Sequence, residues 1–234
     1  MQNELLWLAM LLANFFLIIL AYKLFGKWGL IIWIPISVIV ANIQVIQTVK
    51  LFGLVATLGN IVYATSFLVT DILSENYGKK EAQNAVWIGF FSLISMTLLM
   101  NLALVFKPLA GDEFATKAHE ATSTIFSLMP RIAVASLSAY LLSQRHDVWA
   151  YHFWRKRFSK DNQIWLRNNL STMISQLIDS SVFVLIAFYG VFETAVLWEI
   201  FITTYILKWV VAAADTPFVY WSKRIFKKDK FLME

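Results

Sequence analysis

An apolar stretch with a carboxylate at its centre, residues 169–189, constrains this chain more than any other feature. About 21 residues cross the hydrocarbon core of a bilayer when they form a helix. Asp179 stands in the middle, where an ionised side chain costs about 2.5–3.5 kcal/mol on insertion scales. Thr172, Ser175 and Gln176 share its helical face, whereas the opposite face carries Leu, Ile, Val and Phe. The pattern predicts a membrane helix with a polar stripe towards the protein and an apolar stripe towards lipid.

The composition extends this prediction to the whole chain. Of 234 residues, 59% are hydrophobic, and the mean hydropathy is +0.64. A soluble domain of this length has no core large enough to hide so much apolar surface. The net charge of +5 therefore concerns membrane topology and contact with lipid headgroups rather than nucleic acid. The chain has no cysteine, which excludes disulfides and thiolate metal sites.

Seven apolar segments predict an all-α integral membrane protein, a bundle of about seven transmembrane helices in a single domain, residues 1–234. Residues 50–52 alone separate the second segment from the third, which predicts a tight helical hairpin. The outer loop 106–123 is a candidate surface helix, and the last segment is long enough to tilt or to extend into the cytoplasm. The segments cover approximately 5–22, 29–49, 53–74, 83–105, 124–144, 169–190 and 196–221.

Lys and Arg are distributed unevenly over the predicted loops, and this orients the bundle. With the N-terminus outside, fifteen of the twenty basic residues lie in inner loops or the C-terminal tail, and only three lie in outer loops. Inner loops are enriched in Lys and Arg. The count predicts an N-out, C-in multi-pass protein of the plasma or inner membrane. The inner loop 145–168 interleaves aromatic and basic residues, which is typical of a surface on anionic lipid or of a docking surface for a cytoplasmic partner.

Ionisable and polar side chains inside the predicted helices are the candidate substrate site. Asp179 and Lys208 lie at about the same depth on different helices. They either form an ion pair that holds the bundle together or line a solute site and exchange partners during transport. Asp71, followed by Glu75 and Lys79, alternatively belongs to a row of charges that ends its helix. The full candidate set is Asn60, Asp71, Arg131, Gln176, Asp179, Tyr205, Lys208 and Asp215.

Enzyme chemistry lacks any recognisable constellation in this chain. The three histidines lie in predicted loops without paired-ligand spacing, and no phosphate-binding loop or nucleophile elbow is present. The sequence predicts a protein that is not an enzyme, with no catalytic residue, no metal and no cofactor. Because it contains no ATP-binding motif, any ATP would be hydrolysed by another chain. A homo-oligomer or a cytoplasmic energising partner is therefore left open.

Several motifs, in this order, resemble the queuosine precursor transporter family, also known as the vitamin uptake transporter (Vut_1) family. The likeness runs from about residue 33 to 221. It implies a core of six helices plus one added N-terminal helix, no bound cofactor, and import of 7-deazaguanine precursors of the modified tRNA nucleoside queuosine, such as the 7-cyano and 7-aminomethyl compounds. The motifs are TDILSENYGKKEA (70–82), PRIAVASLSAYLLSQRHDVWAY (130–151), QLIDSSVF (176–183), ILKWVV (206–211) and DTPFVY (215–220).

The candidate residues suit such a substrate, although the chain departs from the family pattern beside them. Gln176 and Ile178 stand where the family has Asn and Ser before the carboxylate, and Thr204 stands where some members have an acid. A guanine-like edge presents adjacent N–H donors that Asp179 can accept. Two alternatives remain: a membrane scaffold with structural ion pairs, or a transporter of another small planar polar solute. Candidate donors to the ligand carbonyl are Asn60, Arg131, Gln176 and Lys208, and candidate aromatic faces are Phe67, Tyr205 and Trp209.

Overall fold

The computed structural model describes residues 2–44, 47–126, 130–190 and 193–233, nearly all of them helical. The all-α class is confirmed, with one small β-hairpin added. Residues 45–46 and 127–129, which belong to two of the predicted segments, lie outside the described residues. The elements are α1 (Gln2–Gln44), β1 (Thr48–Leu51), β2 (Leu54–Thr57), α2 (Gly59–Asn76), α3 (Lys79–Ala103), α4 (Glu113–Phe126), α5 (Pro130–Arg157), a 3₁₀ turn (Asp161–Gln163), α6 (Ile164–Phe188) and α7 (Thr194–Met233).

Helix α1 is two antiparallel limbs joined at Gly26. A straight helix of its 43 residues would be about 64 Å long, yet the Asn3 side chain donates a hydrogen bond to the Lys50 carbonyl at 3.3 Å. The reversal uses φ 57° and ψ −139° at Gly26, a conformation open to glycine alone. A Cβ on Gly29 would lie 2.1 Å from the Ala21 carbonyl oxygen, so the two limbs approach closely at the turn. The two limbs match the first two predicted segments.

The predicted tight helical hairpin at residues 50–52 is wrong, because a β-hairpin occupies this position. Strands β1 and β2 pair antiparallel, with Leu51 opposite Leu54. Phe52 and Gly53 form the turn with φ of 51° and 84°, the positive values that a type I′ turn requires. The Phe52 N–H also donates to the Glu4 carboxylate at 3.2 Å, which ties the hairpin to the start of α1. Apolar strand residues such as these cannot be separated from a helix by hydropathy alone.

Helix ends depart from the predictions at the charged end of the bundle. Helix α5 continues to Arg157, thirteen residues beyond the predicted end at 144, so most of the predicted loop 145–168 is helical. Helix α7 runs on to Met233, in agreement with the expected extension. The predicted surface helix of the 106–123 loop is confirmed as α4. Beyond its apolar part a helix carries polar and charged residues, so hydropathy no longer predicts it although its backbone hydrogen bonds continue.

Four of the described helices are long and apolar enough to cross a membrane: α1, α3, the α6 region from Asp161, and α7 from Leu197 to Lys227. Helix α2 is not apolar enough to be counted among them, because it is the central helix of the bundle. It packs against α1, α3, α5, α6 and α7, and almost every one of its side chains is buried, including Asp71 and Glu75. A helix surrounded by other helices does not have to be compatible with lipid, and therefore carries polar residues that lower its hydropathy.

Helix α6 has the inside-out pattern that its sequence predicts. Its buried face is polar and includes Thr172, Ser175 and Gln176. Apolar side chains such as Leu177 and Leu185 point outwards, with 40% and 58% of their surface exposed. The polar stripe faces α2, α5 and α7 and brings Asp179 into the centre of the bundle.

Candidate functional site

Asp179 is held by side chains from three other helices. The Lys208 ammonium of α7 donates to Oδ2 in a close ion pair. The Tyr63 hydroxyl of α2 and the Ser143 hydroxyl of α5 donate to Oδ1, at 2.5 Å and 3.1 Å. Lys208 Nζ also lies 5.0 Å from the centre of the Tyr63 ring, in a cation–π contact. Asp179 and Lys208 are both almost fully buried. Within the bundle, one cation and two hydroxyl donors therefore replace water around the carboxylate.

A small cavity of about 40 Å³ opens beside this ion pair, room for a few water molecules. It lies where the second limb of α1 ends and α2 begins. Its wall also contains Ala139, Leu93 and the Phe183 ring. The polar residues of the wall are Asn42, Asn60, Tyr63, Ser136, Asp179 and Lys208. The cavity thus combines one carboxylate, one ammonium, two amides, two hydroxyls and two aromatic rings, groups able to bind a flat polar solute.

A second cavity, of about 290 Å³, lies between the end of α6 and the start of α7. Its wall is mainly apolar and includes Leu185 and Trp198, whose side chains are 58% and 60% exposed. The described residues of this wall include no charged side chain. It is less suited to a polar solute than the cavity at Asp179.

The structure brings three of the predicted site residues to the first cavity: Asp179, Lys208 and Asn60. Gln176 lies one turn below Asp179 and is fully buried. Its amide nitrogen and oxygen have no hydrogen-bond partner among the described residues. A buried amide without partners is costly. Gln176 is a second polar side chain near Asp179, outside the described wall of the cavity.

Arg131 and Tyr205 lie elsewhere. The Arg131 guanidinium donates to the carbonyls of Ile186 and Tyr189, at 2.6 Å and 2.5 Å, where α6 ends. Carbonyls at the end of a helix have no partner within the helix, so Arg131 caps α6. Tyr205 stacks on Phe201, with ring planes 6° apart. Neither Arg131 nor Tyr205 is among the described residues of the cavity wall.

Asp71 and Asp215 lie in a buried polar layer below the cavity. Asp71 accepts a hydrogen bond from Thr172 at 3.0 Å, and Asp215 accepts one from Asn168 at 2.8 Å. Asp147 of α5 joins this layer, with Thr70 as its 3.5 Å neighbour. The alternative row of charges through Asp71, Glu75 and Lys79 is not what forms, because Glu75 pairs with Arg167 and Lys223 instead.

Sequence reasoning missed Tyr63, Ser143 and Asp147. Tyr63 stands three residues after Asn60 and four before Phe67, so helical spacing already places it on the predicted polar face. Ser143 and Asp147 are four residues apart on α5, and a longer predicted helix would have revealed them as one face. Within the described residues, no group of three His, Asp or Glu side chains is placed to hold a metal ion.

Comparison with known proteins identifies the family of the chain. Residues 57–222 match the family model Vut_1, described as "Putative vitamin uptake transporter". A Bacillus subtilis (strain 168) protein named "Probable queuosine precursor transporter" is 42% identical over 230 residues, covering 98% of this chain and 99% of its own length. A Haemophilus influenzae protein of the same name is 25% identical over 139 residues, 59% of this chain and 54% of its own. No solved structure matches the chain. The family match over most of the chain, together with the full-length relative, shows that this membrane protein belongs to the Vut_1 transporter family and is not an enzyme.

Proposed function

We propose that the protein imports a queuosine precursor, a 7-deazaguanine such as the 7-cyano or 7-aminomethyl compound, across the plasma or inner membrane for salvage into tRNA queuosine. The names of its relatives support the substrate class. The observation that carries the proposal is the buried pair of Asp179 and Lys208 in the wall of a polar cavity at the centre of the bundle. A transporter needs such a site near the middle of its helices, and an ionisable pair buried there is a functional site by default.

The geometry supports a binding mechanism in which Asp179 exchanges partners. In the structure Lys208 occupies Oδ2, while Tyr63 and Ser143 occupy Oδ1. The adjacent N–H donors of a guanine-like edge replace Lys208 at the carboxylate, and the released ammonium then donates to the ligand carbonyl. Charge balance is kept throughout, because the cation moves only from the carboxylate to a neighbouring acceptor. Phe183 or Tyr63 provides an aromatic face for the ring.

The test is restoration of queuosine in the tRNA of a host that can neither make nor import the precursor. The wild-type chain supplied with nanomolar precursor should restore queuosine. Asp179→Asn should not, because it replaces an acceptor oxygen with a donor that faces the donors of the ligand. We expect a loss of about 2–4 kcal/mol in binding, roughly thirtyfold to thousandfold in affinity.

Asp112→Asn is the matched control. Asp112 caps α4 by accepting a hydrogen bond from the Ala115 N–H at 3.0 Å, and Asn caps a helix equally well. This variant should therefore restore queuosine like the wild type. Membrane abundance is measured for each protein. Wild-type activity in Asp179→Asn would favour the scaffold alternative for the ion pair, and failure of the wild type on every 7-deazaguanine would refute the substrate.

A further inference from the structure

Glu75 closes the bundle at the end opposite the cavity. It lies in the last turn of α2 with its side chain fully buried. Arg167 of α6 binds it through two nitrogens, at 2.6 Å and 3.0 Å, and Lys223 of α7 forms a close ion pair with it. Tyr151 of α5 donates to the same carboxylate at 2.8 Å, and Arg155 lies 3.9 Å away. These five residues, here called the Glu75 cluster, join the ends of α2, α5, α6 and α7.

A buried polar column connects the cavity with the Glu75 cluster. One turn below Asp179 the column continues through Ser175, and then through the Thr172–Asp71 contact. The Asn168–Asp215 contact follows one turn later, directly before the cluster. All these side chains are buried between helices rather than exposed to lipid. Polar groups arranged in this way inside a membrane bundle mark a solute pathway.

The two ends of this column differ. At one end the cavity opens between Asn42, in the last turns of α1, and Asn60, in the first turn of α2. At the other end the Glu75 cluster joins the helices on either side of the column. A solute that enters from the cavity side cannot leave at the other end unless Glu75 separates from its cations.

Given the proposed transport activity, on which this inference rests, we propose that the Glu75 cluster is the inner gate of the transporter and that the structure represents the state in which this gate is closed. Ion pairs suit a reversible gate because water solvates the separated charges once the gate opens. Lys223 already has a second partner, Asp161, at 2.7 Å, and Lys227 binds Asp161 at 2.5 Å. Lys223 therefore remains paired when it releases Glu75.

The accessibility of single introduced cysteines tests the gate and requires no substrate. Because the natural chain has no cysteine, a thiol reagent can label only the introduced one. Ser171→Cys reports on the buried column next to the cluster, and Ser136→Cys reports on the cavity wall. A membrane-impermeant maleimide is applied to vesicles from each side. In the otherwise wild-type protein, the cysteine at 171 should be protected and the one at 136 should react.

Glu75→Gln keeps the size of the side chain but removes the charge that holds the cluster. Labelling at 171 from the Glu75 side should then rise by about tenfold or more, and labelling at 136 from the cavity side should fall, as expected of a population shift between two states. The matched control is Glu81→Gln. Glu81 pairs with Lys27 at 3.2 Å, joins α1 to α3 and lies outside the cluster, so this change should leave both rates as they were.

Lys223→Gln, which removes one arm of the cluster at a partly exposed position, should give the same reciprocal change to a smaller extent. It replaces Glu75→Gln as the deciding variant if the latter does not accumulate. Equal labelling rates in the Glu75 or Lys223 variant and in the otherwise wild-type protein would refute the proposed gate. A rise at 171 without the fall at 136 would also overturn it, since local loosening does not close the cavity. The tRNA assay tests the substrate separately, so failure of the gate can be distinguished from failure of the proposed function.

Discussion

At the level of single residues, Tyr63 is the side chain that links the two charges of the candidate site. Its hydroxyl binds Asp179 and its ring faces Lys208. Tyr63→Phe keeps the ring and removes the donor. A hydrogen bond to a charged group contributes about 1.5–3 kcal/mol, so we expect the KM for precursor uptake to rise by roughly tenfold to a hundredfold, with little change in membrane abundance.

Tyr140→Phe is the matched control for this prediction. Tyr140 is fully buried with its ring centre 6.1 Å from that of Tyr63, but its hydroxyl has no hydrogen-bond partner among the described residues. Removing this hydroxyl should leave the KM within about twofold, since no hydrogen bond is lost. Equal effects of the two changes on the KM would show that Tyr63 acts through packing and not through Asp179.

The sequence located the charged pair but not its neutral partners. Asp179 and Lys208 stand out because charges are rare in apolar helices. Tyr63 and Ser143 do not stand out, since Tyr and Ser are ordinary residues of membrane helices. Arg131 is assigned to the candidate site only because of its depth in the predicted helix. Depth does not tell which way a long side chain points, and Arg131 extends to the end of α6 instead of the cavity.

At the level of elements, Arg131 should stabilise α6 rather than bind substrate. Arg131→Ala removes both hydrogen bonds to the final carbonyls of α6 and should lower the stability of the detergent-purified protein by about 1–3 kcal/mol. The KM for precursor should stay unchanged. Arg157→Ala is the control, because Arg157 is exposed at the other end of the same helix α5. Thermal unfolding and uptake are measured for both. A raised KM with unchanged stability would return Arg131 to the substrate site.

The existence of the helices follows from hydropathy, but their ends and the hairpin do not. Apolar side chains that face lipid produce the long runs that predict α3, α6 and α7. The C-terminal extension of α5 is rich in charge, so a prediction from hydropathy ends this helix too early. The strands β1 and β2 are missed because their apolar residues continue the pattern of the helices on either side.

At the level of the whole molecule, the positive end of the bundle should face the cytoplasm. Lys27, Arg155, Arg167 and Lys223 belong to ion pairs at this end, and inner surfaces carry the excess of Lys and Arg. A cysteine introduced as Thr116→Cys on α4 should react with an impermeant thiol reagent from outside intact cells. One introduced as Ser159→Cys should react only after the membrane is opened. The reverse pattern would invert the proposed orientation.

The pairing of Glu75 has a consequence for how the chain enters the membrane. Its two closest cations, Arg167 and Lys223, are 92 and 148 residues further along the chain. While the ribosome is still making those residues, Glu75 lacks the two cations that bind it most closely in the folded protein, and α2 is not apolar enough to partition into lipid by itself. Stable insertion of the central helix therefore has to wait for the last helix. A chain truncated before α7 should leave α2 at the insertion machinery, where quality-control proteases can reach it.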